Sequence, residues 1–429
     1  MNYEETVSWL YARTPQFERI GAAAYKPGLH TTRAIASALG NPERKLHVIH
    51  VAGTNGKGSV SHTIAAILQS TGLRVALYTS PHLIDFRERM RINGQMIPEK
   101  RVIDFVEHYQ AMNLNLEPSF FELTTLMAFD WFASEHVDVA VIEVGLGGRL
   151  DSTNIVNPQL DIITNISKDH CAQLGNTLRE ITYEKCGIMR PGVTTVCGET
   201  NSEIKNYFTE EARLHNAPIV FADDIFRTLT FRYDETSHLL EIYGTPYGTL
   251  YYQLTGDYQH ENARTVLTAV EHLHKLGYDI SDEAIRRGFA EVCTLTGLKG
   301  RWMQIATEPE TICDTGHNIG GWKHLTNQLN SRMARPITMV LGFVADKELT
   351  EILPLLPRDA TYIASQPESP RALSASELAE KLSDAGLNVH ATVSGAHEAY
   401  RESRRITPTH GSIFIGGSTY LVADLLKNL

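Results

Sequence analysis

Lys57 is set among Gly53, Gly56 and Gly58, with Ser59 two residues on. A lysine and a hydroxyl in a glycine-rich turn are the parts of a phosphate cradle. Backbone N–H groups close on the phosphates, the ammonium reaches the β/γ oxygens, and the hydroxyl can ligand Mg²⁺. The strict G-x-x-x-x-G-K-[ST] pattern is not met, because Val51 stands at its first glycine and Gly58 separates Lys57 from Ser59. The flanks restore the reading. The apolar run Leu46, Val48, Ile49, Val51 predicts a short buried strand before the loop, and SVSHTIAAILQSTG predicts a helix after it. Strand, loop and helix in that order bind ATP or GTP.

Other chemistry-bearing residues stand at the carboxyl ends of expected strands, where open α/β sheets bind ligands. They are Ser80 after the strand at 74–80, Glu143 in the apolar run 137–144, and His170 after 160–166. A hydroxyl and a carboxylate beside a phosphate loop suit Mg²⁺. An imidazole is an uncommon Mg²⁺ ligand, and backbone hydrogen bonding is its alternative role. The run Asp314-Thr315-Gly316-His317-Asn318 follows a strand and opens a helix, which makes it a second site-like cluster. By residue type alone, Lys185 reads as a surface lysine, Arg301 as half of a surface ion pair and Asn262 as a helix cap.

These residues need a scaffold of alternating strands and helices. Helices are expected at 3–13, 31–39, 60–71, 99–112, 122–134 and 177–189, with further strands at 193–197 and 218–222. The pattern predicts an α/β fold, a doubly wound and mostly parallel sheet. From 226 to 254 the rhythm becomes alternating and tyrosine-rich, which predicts antiparallel strands appended to that sheet. Helices at 262–276 and 281–291 lead to glycine-flanked turns near 294–299. Strand–helix alternation then restarts, with strands at 311–314, 337–342, 361–365, 389–392 and 413–416. Two domains follow, 1–296 carrying the phosphate loop and a smaller α/β unit over 297–429.

The 429 residues exceed one ordinary core. With 39 basic and 50 acidic residues the net charge is −11, which argues against nucleic acid or anionic membrane as a partner. Five cysteines without a C-x-x-C pair read as reduced thiols, so the expected setting is cytoplasmic. The opening MNYEETVSWLYART lacks the long apolar core of a secretory leader, and no apolar run reaches membrane-spanning length. Nothing demands an oligomer, so a monomer is expected.

As a set, the motifs resemble the folylpolyglutamate synthase and dihydrofolate synthase family, a branch of the Mur-type ATP-dependent amide ligases. They are GTNGKGS at 53–59, TSPHL at 79–83, FFELTT at 120–125, IEVGLGGRLDSTN at 142–154, DH at 169–170, EKCGIMRPG at 184–192, QHENA at 259–263, GRW at 300–302 and DTGHN at 314–318. The resemblance implies that Thr54, Asn55, Gly56, Lys57, Gly58 and Ser59 wrap the ATP phosphates. It also implies that Ser59, Ser80, Glu143 and His170 hold Mg²⁺, with two ions in all. By the same resemblance, Lys185 is expected to become an N6-carboxylysine through CO₂ uptake. Asn262, Arg301 and Asp314 contact ATP from both domains, and His317 and Ser418 lie near the glutamate pocket. Phe121, Glu122, Leu150, Asp151 and Ser152 lie near the pterin. The resemblance implies that catalysis is carried by Lys57, Lys185, Arg301 and His317. The early segment reads Gly28-Leu29-His30-Thr31 where the family more often has GLER.

The implied reaction is transfer of the ATP γ-phosphoryl group to a substrate carboxylate, followed by attack of L-glutamate. The acceptor is dihydropteroate, a reduced folate, or both, and a bifunctional enzyme is the favoured reading. Alternatives are a folylpolyglutamate synthase alone, a Mur-type ligase for another carboxylate, and a P-loop regulatory ATPase. The last is disfavoured because no guanine-reading N-K-x-D follows the loop.

Overall fold

The structure, a computed structural model, describes residues 1–14, 28–345, 349–427 and 429. Its first sheet has eight strands: β1 (Val48–Ala52), β2 (Val75–Tyr78), β3 (Met90–Ile92), β4 (Gln95–Met96), β5 (Val139–Glu143), β6 (Pro158–Ile163), β7 (Thr195–Cys197) and β8 (Ile219–Phe221). The spatial order is β4-β3-β2-β5-β1-β6-β7-β8. From β2 to β8 every pairing is parallel. The chain divides into two compact units, Met1–Gln253 with Gln259–Leu298, and Leu254–Tyr258 with Lys299–Leu429.

Every residue of β1 and β5 is buried, as expected of parallel strands covered on both faces. The longer helices of the first unit are α1 (Tyr3–Arg13), α2 (His30–Ala38), α3 (Lys57–Ser70), α4 (Glu99–Ala111), α5 (Phe120–Ser134), α6 (Leu178–Cys186), α7 (Ser202–His215), α8 (Gln259–Lys275) and α9 (Asp282–Ala290). Helix α3 is buried continuously from Gly58 to Leu68, held between the sheet and helices α8 and α9. It starts at Lys57, so the loop lysine and Ser59 lie in its first turn. On one sheet face, Val48, Ala140 and Ile142 pack with Phe129 and Phe132 of α5. Ala52, Ile163 and Cys197 pack with Ile181 of α6 and Phe208 of α7.

Two details differ from the sequence expectation. The antiparallel strands β9 (Thr230–Asp234), β10 (Leu239–Tyr243) and β11 (Leu250–Tyr252) form a three-stranded sheet of their own. The apolar side of β11, Leu250 and Tyr252, is fully buried and β11 packs on α9, with the Tyr252 hydroxyl 2.8 Å from Thr63 Oγ1 of α3. Helices therefore satisfy this ribbon in place of an edge strand of the main sheet. The β3–β4 hairpin also went unread, although its Asn93-Gly94 turn is a hairpin signal. Both turn residues are left-handed, at φ 46° and 76°.

The second unit has the sheet order β12-β13-β17-β14-β15-β16, built from β12 (Met303–Thr307), β13 (Glu310–Asp314), β14 (Ile337–Leu341), β15 (Thr361–Gln366), β16 (Asn388–Ser394) and β17 (Ser412–Gly416). Only β12 runs antiparallel. Trp322 and Leu325 of α10 (Ile319–Arg332) fill one face with Met339 and Phe414. Tyr400, Leu421 and Leu425 cover the other. The five cysteines are free, and among the described residues no helix is long and apolar enough to cross a membrane.

Gly94 combines its positive φ with a close approach, since a Cβ there would stand 2.1 Å from the Leu295 carbonyl oxygen. Gly94→Ala should cost about 1–3 kcal/mol by forcing both strain and a clash. Urea unfolding checks this, and a loss under about 0.5 kcal/mol, the range of an uninvolved surface change, would contradict it.

Candidate active site

The loop after β1 is docked rather than loose. Thr54 N donates to the Asn165 carbonyl at 3.0 Å, Asn55 N to Asn165 Oδ1 at 2.9 Å, and Thr54 Oγ1 to the Ser167 carbonyl at 3.1 Å. The loop thereby rests on residues 164–167 beyond the end of β6. Gly53 has φ 144°, and a Cβ there would lie 1.9 Å from Thr164 Oγ1, so only glycine lets the two segments meet. At the helix end, Ser59 Oγ accepts from Gln259 Nε2 at 3.1 Å, and Gln259 Oε1 accepts from Asn262 Nδ2 at 2.8 Å. Asn262 therefore serves the loop from the first turn of α8. An alanine Cβ at Gly56 would stand 2.2 Å from its side-chain oxygen.

Two ammonium groups converge here. Lys57 Nζ donates to the carbonyls of Gly53 (3.0 Å) and Thr54 (3.2 Å). Lys185 Nζ donates to the same Gly53 carbonyl at 2.9 Å and is only 3% exposed. Lys185 is thus no surface lysine. Burial, and next the Lys57 charge, lower its pKa from 10.5 to about 7, against the pull of Asp169 and Asp151. At neutral pH much of it is a free amine, the form that adds CO₂.

The 145–154 loop is fastened to the helix that carries Lys185. Arg149 N donates to the Glu184 carbonyl at 2.8 Å, and its guanidinium pairs with Glu184. Asn154 Nδ2 donates to the carbonyls of Arg149 and Gly187, and Arg190 holds Asn154 in turn. Asp151 is buried as a loop brace: Oδ1 accepts from Thr153 N and Oγ1, and Oδ2 from Leu146 N. Ser152 is buried beside it. Leu150 instead lines an open pocket of about 560 Å³ with Leu29, His30, Arg33 and Ala34. Phe121 lies at 5.9 Å between ring centroids from Tyr78. Glu122, buried, is occupied by the fold, with Oε2 accepting from Ser119 N and Oε1 from Thr32 Oγ1. It joins α2 to α5.

Glu143 ends β5, 3% exposed, and its Oε2 accepts from Ser80 N at 3.3 Å. His170 is left-handed at φ 51°, with its ring 3.8 Å from Asp169. Among the described residues there is no group of three His, Cys, Asp or Glu side chains placed to hold a metal. A buried carboxylate beside Ser80, with the Ser59 hydroxyl on the loop, nonetheless fits a hard cation whose remaining ligands are phosphate and water oxygens. Phosphate completes that kind of site.

In the second unit, Asp314 ends β13 and pairs in register with Gly416 of β17, two residues before Ser418. Asp314 accepts from Tyr258 Oη (2.5 Å), Trp302 N (2.7 Å) and Gly316 N (2.7 Å). Burial raises its pKa, while the Tyr258 hydrogen bond and Arg301 act the other way. Arg301 donates to Thr315 Oγ1, and His317 Nδ1 donates to the Thr315 carbonyl at 3.1 Å. Ser418 is buried, its Oγ accepting from Leu421 N at 3.2 Å. Sequence reading includes Gln259 in the QHENA motif without giving it a role and misses Tyr258, whose signal lay in standing next to that motif.

The chain matches the Mur ligase middle domain over residues 51–270 and the Mur ligase, glutamate ligase domain over 300–418. Among curated relatives, the dihydrofolate synthase/folylpolyglutamate synthase of Bacillus subtilis (strain 168) is 32% identical over 452 residues, covering 100% of this chain and 99% of the relative. E. coli FolC in complex with DHPP and ADP superposes with a TM-score of 0.85 at 28% identity, over 100% of this chain and 97% of that one. A bifunctional folylpolyglutamate synthase/dihydrofolate synthase with Mn, AMPPNP and L-glutamate bound gives 0.82 at 28% identity, over 100% and 98%. The chain belongs to the dihydrofolate synthase/folylpolyglutamate synthase family of Mur ligases.

Lys185 also yields a stability prediction. Below pH 7 it is protonated folded and unfolded, so burying the charge costs its full amount; above pH 10.5, where both states are neutral, the cost vanishes. In CO₂-free buffer Lys185→Met should therefore raise Tm most at and below pH 7, with a gain that fades as pH rises. Thermal melts across pH check this, and a gain that grows with pH would contradict it.

Proposed function

We propose that the protein is an ATP-dependent ligase joining L-glutamate to a pterin carboxylate, acting both as dihydrofolate synthase on dihydropteroate and as folylpolyglutamate synthase on reduced folates. The observation that carries the reading is the pairing of Lys57 and Lys185 on the Gly53 carbonyl in a phosphate loop. Two cations on one acceptor call for an anion beside Lys57, which a nucleotide's phosphates supply, and for a Lys185 amine that can give up its charge to a carbamate.

The substrate carboxylate oxygen attacks the γ-phosphorus as its bond to ADP breaks, giving an acyl phosphate. The glutamate amine then attacks the acyl carbon, the C–O bond to phosphate breaks, and the amide, phosphate and a proton are released. Transfer of this kind depends on positioning and charge neutralisation. In the proposal, Thr54 to Ser59 wrap the phosphates, Lys57 supplies the loop's cation, and Asn262 braces the loop. Ser59, Ser80, Glu143 and His170 are assigned to two Mg²⁺ ions, which when bound neutralise phosphate charge. CO₂ adds to the neutral amine of Lys185, forming an N–C bond and releasing the amine proton, and the resulting carbamate would be an anion placed to support a metal. Arg301 and Asp314 are assigned to the nucleotide, His317 and Ser418 to glutamate. Leu150 and Phe121 are assigned to the pterin, with Asp151, Ser152 and Glu122 bracing those walls. The first unit serves as the ATP-binding domain and the second as the glutamate ligase domain. The protein works as a cytoplasmic monomer without nucleic acid.

ADP release should require L-glutamate and occur with dihydropteroate and with tetrahydrofolate. Turnover with only one would select a single synthase, and silence with both would overturn the substrate assignment. Lys57→Ala and Glu143→Ala should each lower kcat by at least about 100-fold, the scale of losing a charge-stabilising group, with the circular dichroism spectrum unchanged. Near-normal turnover would remove that residue from the mechanism.

A further inference from the structure

Beneath the 145–154 loop, a polar row crosses the main sheet between two apolar cores. His50 of β1 registers with Asp161 of β6, and Asp161 registers with Thr195 of β7. Registered residues on parallel strands project to the same face, so the three side chains stand side by side. All three are 0% exposed. Yet Nδ1 of His50, both carboxyl oxygens of Asp161 and Oγ1 of Thr195 have no hydrogen-bond partner. Elsewhere on this face the strands carry Val48, Ala52, Ile142 and Ile163.

The imidazole links the row to the site. Thr153 Oγ1 donates to Asp151 Oδ1, so its lone pair accepts from His50 Nε2 at 2.9 Å. The imidazole proton is therefore on Nε2 and Nδ1 is a bare acceptor. Burial and the nearby Arg190 charge lower the His50 pKa to about 3, which keeps the ring neutral. Arg190 does not serve the row directly. Its donors go to the carbonyls of Gly187, Ile188 and Met189 and to Asn154. Burial pushes the Asp161 carboxyl well above the usual carboxylate range, against the Arg190 charge, so it favours an O–H beside the Thr195 hydroxyl. Even so acceptor sites outnumber donors, and buried polar groups of this kind are satisfied by internal water.

We propose that His50, Asp161 and Thr195 hold buried water, and that this hydrated row makes His50 a positioning residue for the 145–154 loop. Water on Nδ1 fixes the ring, Nε2–H fixes Thr153, and Thr153 fixes Asp151, whose carboxylate gathers the Leu146 and Thr153 amides. Leu150, one residue before Asp151, then presents its side chain to the pocket. The kinetic part of the test rests on the pterin-ligase reading, and the exchange and structural parts do not.

The test compares wild type, His50→Leu and His50→Gln, the last keeping a donor toward Thr153 and an acceptor toward the water. In His50→Leu, amide hydrogen exchange at Leu146 and Thr153 should quicken about tenfold, the scale of one buried hydrogen bond. KM for dihydropteroate should rise by a similar factor with KM for ATP unchanged, and His50→Gln should restore both. A high-resolution crystal structure of the wild type should show water within hydrogen-bond distance of His50 Nδ1 and Asp161. Unchanged exchange at both amides, an equal rise in both KM values, or a dry row would each overturn the proposal. If His50→Leu does not fold, the wild-type water and the near-wild-type exchange of His50→Gln decide it. If wild type uses no pterin substrate, the ligase reading fails while exchange still tests the row.

Discussion

The carbonyl oxygen of Gly53 receives hydrogen bonds from two lysines, and the site is arranged around that fact. Two ammonium groups on one acceptor repel each other, and Lys185 bears the consequence because it is the buried one. In a chain of net charge −11, this is a local concentration of positive charge set against the overall field. Such a pair is costly unless an anion joins it or one amine gives up its proton. Nucleotide phosphates answer the first need and carbamate formation the second. The same constraint explains the tightness around Gly53, since the loop must sit against Thr164 to bring its carbonyl within reach of helix α6.

From that point the supports spread outward through hydrogen bonds rather than apolar contact. The loop rests on residues 164–167, and its serine is held by Gln259, which Asn262 of α8 holds in turn. The Lys185 helix holds Arg149 and Asn154, and through them the 145–154 loop. Elements remote in sequence therefore share one polar scaffold at the carboxyl edge of the sheet. The apolar cores on either side fix the strands whose ends carry it.

The parallel sheet was legible because its strands are continuous apolar runs and its helices have clear stops. The phosphate loop was legible from Lys57, its glycines and the strand and helix around them. Lys185 was not, because a helical lysine gives no sign of burial until α6 is packed, and only the family motif pointed to it. Strand β12 is a half-exposed antiparallel edge with no continuous apolar run, and the β3–β4 hairpin is short, its Asn93-Gly94 signal being the part that mattered. The separate sheet of β9 to β11 depends on helices α3 and α9, which a local pattern does not contain. Glu122 and Asp151 carried the right motif, but their oxygens are spent on the fold, a distinction visible only in the hydrogen bonds.

The central claim is that the substrate carboxylate is activated as an acyl phosphate on this phosphate loop. Dihydropteroate labelled with ¹⁸O in its carboxylate tests it directly, by mass analysis of the phosphate released during glutamate-dependent turnover. The account predicts one labelled oxygen carried from the carboxylate into each inorganic phosphate. Unlabelled phosphate, with amide product still formed, would contradict it.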